Sequence, residues 1–85
     1  MRLDKYLKVS RLLKRRTVAN EACDAGRVLL NGKVARASSP VKEGDRITIA
    51  FGEKSMTVEV VSVAETVRKE DADAMYTGVP EQNGD

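Results

Sequence analysis

Apolar residues at the start of the chain recur with helical spacing. Leu3, Tyr6 and Leu7 stand at i, i+3 and i+4, which predicts a helix over residues 2–10 with one buried face. Arg2, Lys5 and Lys8 follow at steps of three and form a drifting stripe beside that face. Residues 11–14 read as a short turn that points Leu12 and Leu13 inward. A second helix is expected from Arg16 or Thr17 to Ala25, with Val18, Ala19, Ala22 and Cys23 as an inner face of small residues. Gly26 follows as its stop, because a left-handed backbone is cheap for glycine.

After Gly26 the period changes from helical to alternating. Val28-Leu29-Leu30 predicts a short strand, and Asn31-Gly32 is a strong hairpin signal. Residues 33–37 are expected as the second arm, broken by Ser38-Ser39-Pro40. Residues 42–45 form a turn, in which Glu43 and Asp45 flanking Gly44 are ordinary turn chemistry. Ile47, Ile49 and Phe51 then alternate as a strand, and after a turn at 52–54 so do Met56, Val58 and Val60. Residues 66–76 predict a short acidic helix, and residues 78–85 carry too little apolar surface to order themselves. The expected core holds Leu3, Leu7, Leu12, Val28, Leu30, Ile47 and Ile49.

Charge sharpens this outline. The net charge is only +2, but the two ends differ. Residues 1–46 hold twelve Lys/Arg and five Asp/Glu, a balance of +7; residues 47–85 hold three and eight, a balance of −5. Within residues 2–16 alone stand seven cations (Arg2, Lys5, Lys8, Arg11, Lys14, Arg15 and Arg16) against one carboxylate, Asp4. Such crowding costs self-repulsion, which an anionic partner would offset.

The remaining composition narrows the class. Eighty-five residues make one domain. No apolar run is long enough to cross a bilayer, so no membrane partner is expected, and no secretory signal is recognisable. A single cysteine, Cys23, fits a reducing compartment, and a cytoplasmic location is expected. There is no histidine, no Cys/His cluster for zinc and no glycine-rich phosphate loop. Cys23 lies on a small-residue helical face and reads as a packed thiol. Neither catalysis, nor a metal, nor a cofactor is expected. Binding is the better prospect, because guanidinium groups match phosphate oxygens bidentately. The only aromatic residues are Tyr6, Phe51 and Tyr76. Base-stacking readout of single strands is therefore not expected; a cationic helical face suits the backbone and shape of folded RNA.

RLDKYL, then Arg11, then RRTVANEACDAGRVLLNGKVA, then VKEGDRITI resembles the S-four RNA-binding domain over residues 2–50. That resemblance implies an α+β fold: two N-terminal helices packed on a small, curved, mostly antiparallel sheet, akin to an αL motif, with a short C-terminal helix or tail. It also implies that the helices present their basic face to RNA. Over nearly the full length, LKVSRLLKRRTVANEACDAGRV, FGEKSMTVEV and DADAMYTGV resemble the small stand-alone proteins of the RqcP (YabO) family, whose relatives include heat-shock ribosome-binding proteins. The implied activity is ribosome-associated quality control. Such a protein binds large-subunit ribosomal RNA and peptidyl-tRNA on obstructed large ribosomal subunits. There it supports C-terminal alanine tailing with an RqcH-type factor.

These readings give residues 1–65 as the RNA-binding domain, with its core at 2–50 and an extra C-terminal hairpin, and residues 66–85 as an acidic helix or tail. The expected RNA site comprises Arg2, Asp4, Lys5, Lys8, Arg11, Lys14, Arg15 and Arg16. Asp4 either touches RNA or orients Arg16 or a neighbouring cation; Lys33 and Arg36 are expected to be solvated or to extend the footprint. A monomer is expected. The alternatives are a heat-shock-type recycling or ribosome assembly factor, or a protein-interaction module acting through the acidic half. One position departs from the family pattern: Arg15 stands where a small hydroxyl residue would cap helix two, a cap worth about 1 kcal/mol. Either Thr17 caps a later start or packing carries the helix.

Overall fold

In the computed structural model, residues 1–64 and 68–79 are described. Two helices, α1 (Leu3–Val9) and α2 (Arg16–Asp24), precede four strands: β1 (Val28–Leu30), β2 (Lys33–Val34), β3 (Arg46–Phe51) and β4 (Lys54–Val60). A 3-10 helix at Lys69–Met75 then leads into β5 (Tyr76–Val79). The strands form one five-stranded sheet in the order β2-β1-β3-β4-β5, antiparallel at every pairing. The expected α+β architecture is therefore present: two helices on an open antiparallel sheet.

Period-two alternation decides which sheet face the helices cover. Val28, Ile47, Ile49, Val58 and Val60 are buried and form one core with Leu3, Tyr6, Leu7, Ala19 and Cys23. Register places Val28 opposite Ile49 and Ile47 opposite Val58, so the apolar side chains fall on a common face. The hairpin at Asn31-Gly32 forms as expected, with both residues at positive φ (54° and 85°), the geometry of a tight primed turn. Asn31 does more than turn the chain. Its carboxamide donates to Asp45 Oδ1 (3.2 Å) and accepts from the Arg46 N–H (3.0 Å), tying the hairpin to the 42–45 turn. Asp45 closes that turn by accepting from the Lys42 N–H (3.0 Å).

Several expectations are corrected. Leu12 and Leu30 are only partly buried and pack against the core from outside it. Leu12 lies on the connection between helices, and Leu30 ends its strand at the turn. Val18 is 42% exposed, because Ala19 and Cys23, one helical turn apart, take the inward positions. The second hairpin arm stops at Val34, and residues 36–39 turn back: the Arg36 N–H bonds the Ser39 hydroxyl (2.9 Å) and the Ser39 N–H bonds the Arg36 carbonyl (3.0 Å). The largest difference is at the C-terminal end. Gly78 and Val79 are not frayed but belong to β5, where they pair with Val58 and Thr57 of β4. Met75, just before β5, is buried, and its carbonyl accepts from the Tyr6 hydroxyl at 2.7 Å. The acidic helix expected over 66–76 is the 3-10 helix at Lys69–Met75. Its first residues, the expected domain boundary at 65/66 and the rest of the expected fraying segment, 80–85, lie outside the described residues.

Candidate nucleic-acid interface

The site begins with how α1 is anchored. Arg2 is its N-cap residue and lends no side-chain cap. The first free helical N–H groups are met from elsewhere: Leu3 N–H bonds Ser39 O (2.8 Å) and Asp4 N–H bonds Ala37 O (3.0 Å). Lys5 N–H bonds Asp4 Oδ1 (2.8 Å). With Leu3, Tyr6 and Leu7 fully buried, the roll of α1 is fixed, and Asp4 is turned toward α2.

α2 meets it with small residues, Ala19, Ala22 and Cys23, which permit close approach of the two helices. Arg16 and Asn20, at i and i+4, then lie one above the other on the side facing Asp4. Arg16 Nε donates to Asp4 Oδ2 (3.1 Å) and Arg16 Nη2 to Oδ1 (3.5 Å). Arg2 Nε donates to Oδ1 (3.2 Å) and Arg2 Nη2 to Oδ2 (3.3 Å). Asn20 Nδ2 donates to Oδ2 (2.9 Å) and also to the Arg16 carbonyl (3.3 Å). Asp4 is 1% exposed, whereas the Arg2 and Arg16 side chains are 53% and 47% exposed. The carboxylate thus sits behind two guanidinium groups and holds both. Of the readings left open for Asp4, the geometry fits orientation, and of Arg2 as well as Arg16.

Burial alone would push the Asp4 carboxyl pKa up. The donors from Arg16, Arg2, Asn20 and the Lys5 N–H together outweigh it, so the net pKa lies below the ordinary carboxylate value. Asp4 is therefore ionised at neutral pH. Two cations sharing one anion leave the trio at a net +1, half exposed and held in place. Each guanidinium uses Nε and Nη2 toward Asp4, which leaves its Nη1 side for an outside acceptor.

The other expected site residues surround this trio in sequence. Lys8, Arg11, Lys14 and Arg15 are exposed, and Lys5 is half-buried. Arg11 holds a left-handed backbone, φ 64°, directly after α1, in the position where helices usually carry glycine. Helix two begins at Arg16 with Arg15 as its N-cap and no side-chain cap bond. Thr17 lies inside the first turn, so packing carries the helix start. The structure joins Arg2, Asp4 and Arg16 directly; it shows no hydrogen bond from Lys8, Arg11, Lys14 or Arg15 to that trio. Sequence reasoning missed Asn20. Its signal was present, one turn beyond Arg16 on the same helical face, but only the packing of α2 on α1 brings it to Asp4.

A family model described as the S4 domain matches residues 1–47. The RQC P-site tRNA stabilizing factor of Halalkalibacterium halodurans is 60% identical over 76 residues, covering 89% of this chain and 86% of that protein. The protein of the same name from Bacillus subtilis is 55% identical over 82 residues, covering 96% and 95%. Among solved structures, the trimeric Vibrio cholerae Heat Shock Protein 15 superposes with a TM-score of 0.85 at 30% identity, covering 93% of this chain and 81% of that one. The solution structure of the hypothetical protein HP1423 gives 0.80 at 31% identity, covering 96% and 100%.

Proposed function

The chain belongs to the S4 domain family, alongside the RQC P-site tRNA stabilizing factors, and from that premise we propose that it is a non-catalytic RNA-binding factor of the large ribosomal subunit. It acts in ribosome-associated quality control. On obstructed large subunits it binds ribosomal RNA and peptidyl-tRNA, and it holds the tRNA in place while an RqcH-type partner adds C-terminal alanine. It works as a cytoplasmic monomer, by positioning rather than bond-making. Among the described residues no helix is long and apolar enough to cross a membrane.

The observation that carries this reading is the buried Asp4 that fixes two half-exposed arginines with a net positive charge. A buried carboxylate with two guanidinium partners pre-organises phosphate recognition, so less side-chain entropy is lost on binding. Arg2 and Arg16 take phosphate oxygens through their outward faces. Lys5, Lys8, Arg11, Lys14 and Arg15 add charge around them, and Asp4 acts through the arginines. Each arginine removed costs one charge-assisted contact.

Sucrose-gradient sedimentation with purified large subunits carrying peptidyl-tRNA tests this. Arg16→Ala is expected to weaken association about tenfold, the cost of one charge-assisted hydrogen bond. The domain stays folded, because Asp4 keeps Arg2, Asn20 and the Lys5 N–H. Unchanged co-migration of Arg16→Ala would remove this residue from the interface.

A further inference from the structure

Beside the basic helices a groove of about 470 Å³ opens between the C-terminal end of α2 and the 34–38 segment. That volume is within the range of small-ligand sites. Arg2 and Arg36 line it together with Asp24, Val34 and Ala37, and Cys23 contributes to its wall. The groove is therefore continuous with the phosphate-binding arginines through Arg2. Its composition differs from the rest of the basic face: two arginines, an aspartate and apolar residues line one hollow. Val34, at 67%, is the most exposed of the large apolar side chains among the described residues. Asp24 is also oddly placed. It ends α2, where the macrodipole disfavours an acid, and no basic residue stands in that last turn. Among the described residues no salt bridge joins Asp24 to a cation. Cys23 is 4% exposed; burial first, then Asp4 and Asp24, push its thiol pKa up, so this part of the wall is uncharged.

We infer that this groove binds one unpaired RNA nucleotide, with its phosphate between Arg2 and Arg36, its base against Val34 and Ala37, and the Asp24 carboxylate selecting guanine. The proposal rests on the RNA-binding reading above and names a subsite within it. A carboxylate accepts and cannot donate. The Watson–Crick edge of guanine presents two adjacent donors, N1–H and the N2 amino group, which one carboxylate accepts in parallel. Uracil presents a single N–H between two carbonyls, whose oxygens face a carboxylate unfavourably. Unpaired bases read on such edges are how proteins distinguish RNA sequence. The apolar wall supplies contact without aromatic stacking, which the scarcity of aromatics already disfavoured.

The test is an NMR titration of the full ¹⁵N-labelled chain with GMP and, separately, UMP at matched ionic strength. Amide shifts at Arg36 and Ala37 are expected, with GMP half-saturating at about fivefold lower concentration, the worth of one extra hydrogen bond. Asp24→Asn should remove that preference, and Arg36→Gln should weaken both nucleotides alike. Equal response to the two nucleotides would overturn base selection. Shifts confined to residues 2–16 would overturn the groove as a site. Sedimentation of the unaltered protein with large subunits separates this from the wider reading. Retained co-migration with a silent groove removes the subsite alone, whereas groove shifts without co-migration remove the ribosomal role alone.

Discussion

Asp4 shows how one residue converts a repulsive cluster into an ordered one. The sequence places it alone among seven cations; the fold buries it and surrounds it with donors. Because its folded pKa is depressed, its contribution to stability is fully present above the unfolded value, near 4, and is lost as pH falls through the lower folded value. Urea unfolding followed between about pH 5 and pH 2 should therefore show stability falling with acid in the natural protein and a shallower fall in Asp4→Asn. At neutral pH, Asp4→Asn should cost about 2 kcal/mol. That is below the cost of breaking a fully buried pair, because both arginines are half solvated. If Asp4→Asn unfolds with an unaltered acid profile, the carboxylate is not the group that titrates with folding.

At the scale of the element, both helix ends of α2 were readable, one correctly resolved and one not. Gly26 closes the helix as its spacing predicts. At φ 75°, its N–H bonds Cys23 O (3.0 Å), and the next N–H, of Arg27, bonds Ala22 O (2.9 Å), a Schellman pattern. At the N-terminal end two mechanisms compete, a hydroxyl cap or packing, and local sequence does not decide between them. The structure shows Arg15 at the N-cap with no side-chain cap bond, so the helix starts without the stabilisation a hydroxyl there would add. Arg15→Ser is expected to stabilise the domain by about 1 kcal/mol, raising Tm by about 4–8 °C, while weakening association with large subunits. Calorimetry and sedimentation on the same variant check both halves; a variant that melts higher and binds as before would separate Arg15 from RNA binding.

Over the whole molecule, residues 75–79 are tied into the core and the sheet. Tyr6 of α1 reaches across the fold to the Met75 carbonyl, and the strand after Met75 completes the sheet. Burial, and then the neighbouring Tyr76, push the Tyr6 hydroxyl pKa up to about 12, which keeps it a neutral donor. Tyr6→Phe removes one of three donors to that carbonyl, which keeps the Val61 and Ser62 N–H groups (2.8 and 3.1 Å), and should cost about 1 kcal/mol in urea unfolding. The lopsided charge also acts at this scale. If about five phosphates are neutralised by the basic helices, log–log affinity against salt should have a slope of roughly −3 to −5, measured by sedimentation across a salt series. A slope near zero would mean that the cations are solvated rather than engaged.

What the sequence determined by itself was local and periodic. Leu3, Tyr6 and Leu7 give α1, Asn31-Gly32 gives the hairpin, and Ile47 and Ile49 give β3, because helical and strand spacing act over a few neighbouring residues. The basic cluster was equally legible, since charge needs no fold to be counted. Tertiary structure decided the rest. It brought Asn20 and Arg16 to Asp4 across two helices, and it recruited Gly78 and Val79 to the sheet although their segment reads as weakly apolar. Both depend on partners distant in the chain, whose hydrogen bonds and burial no local pattern records.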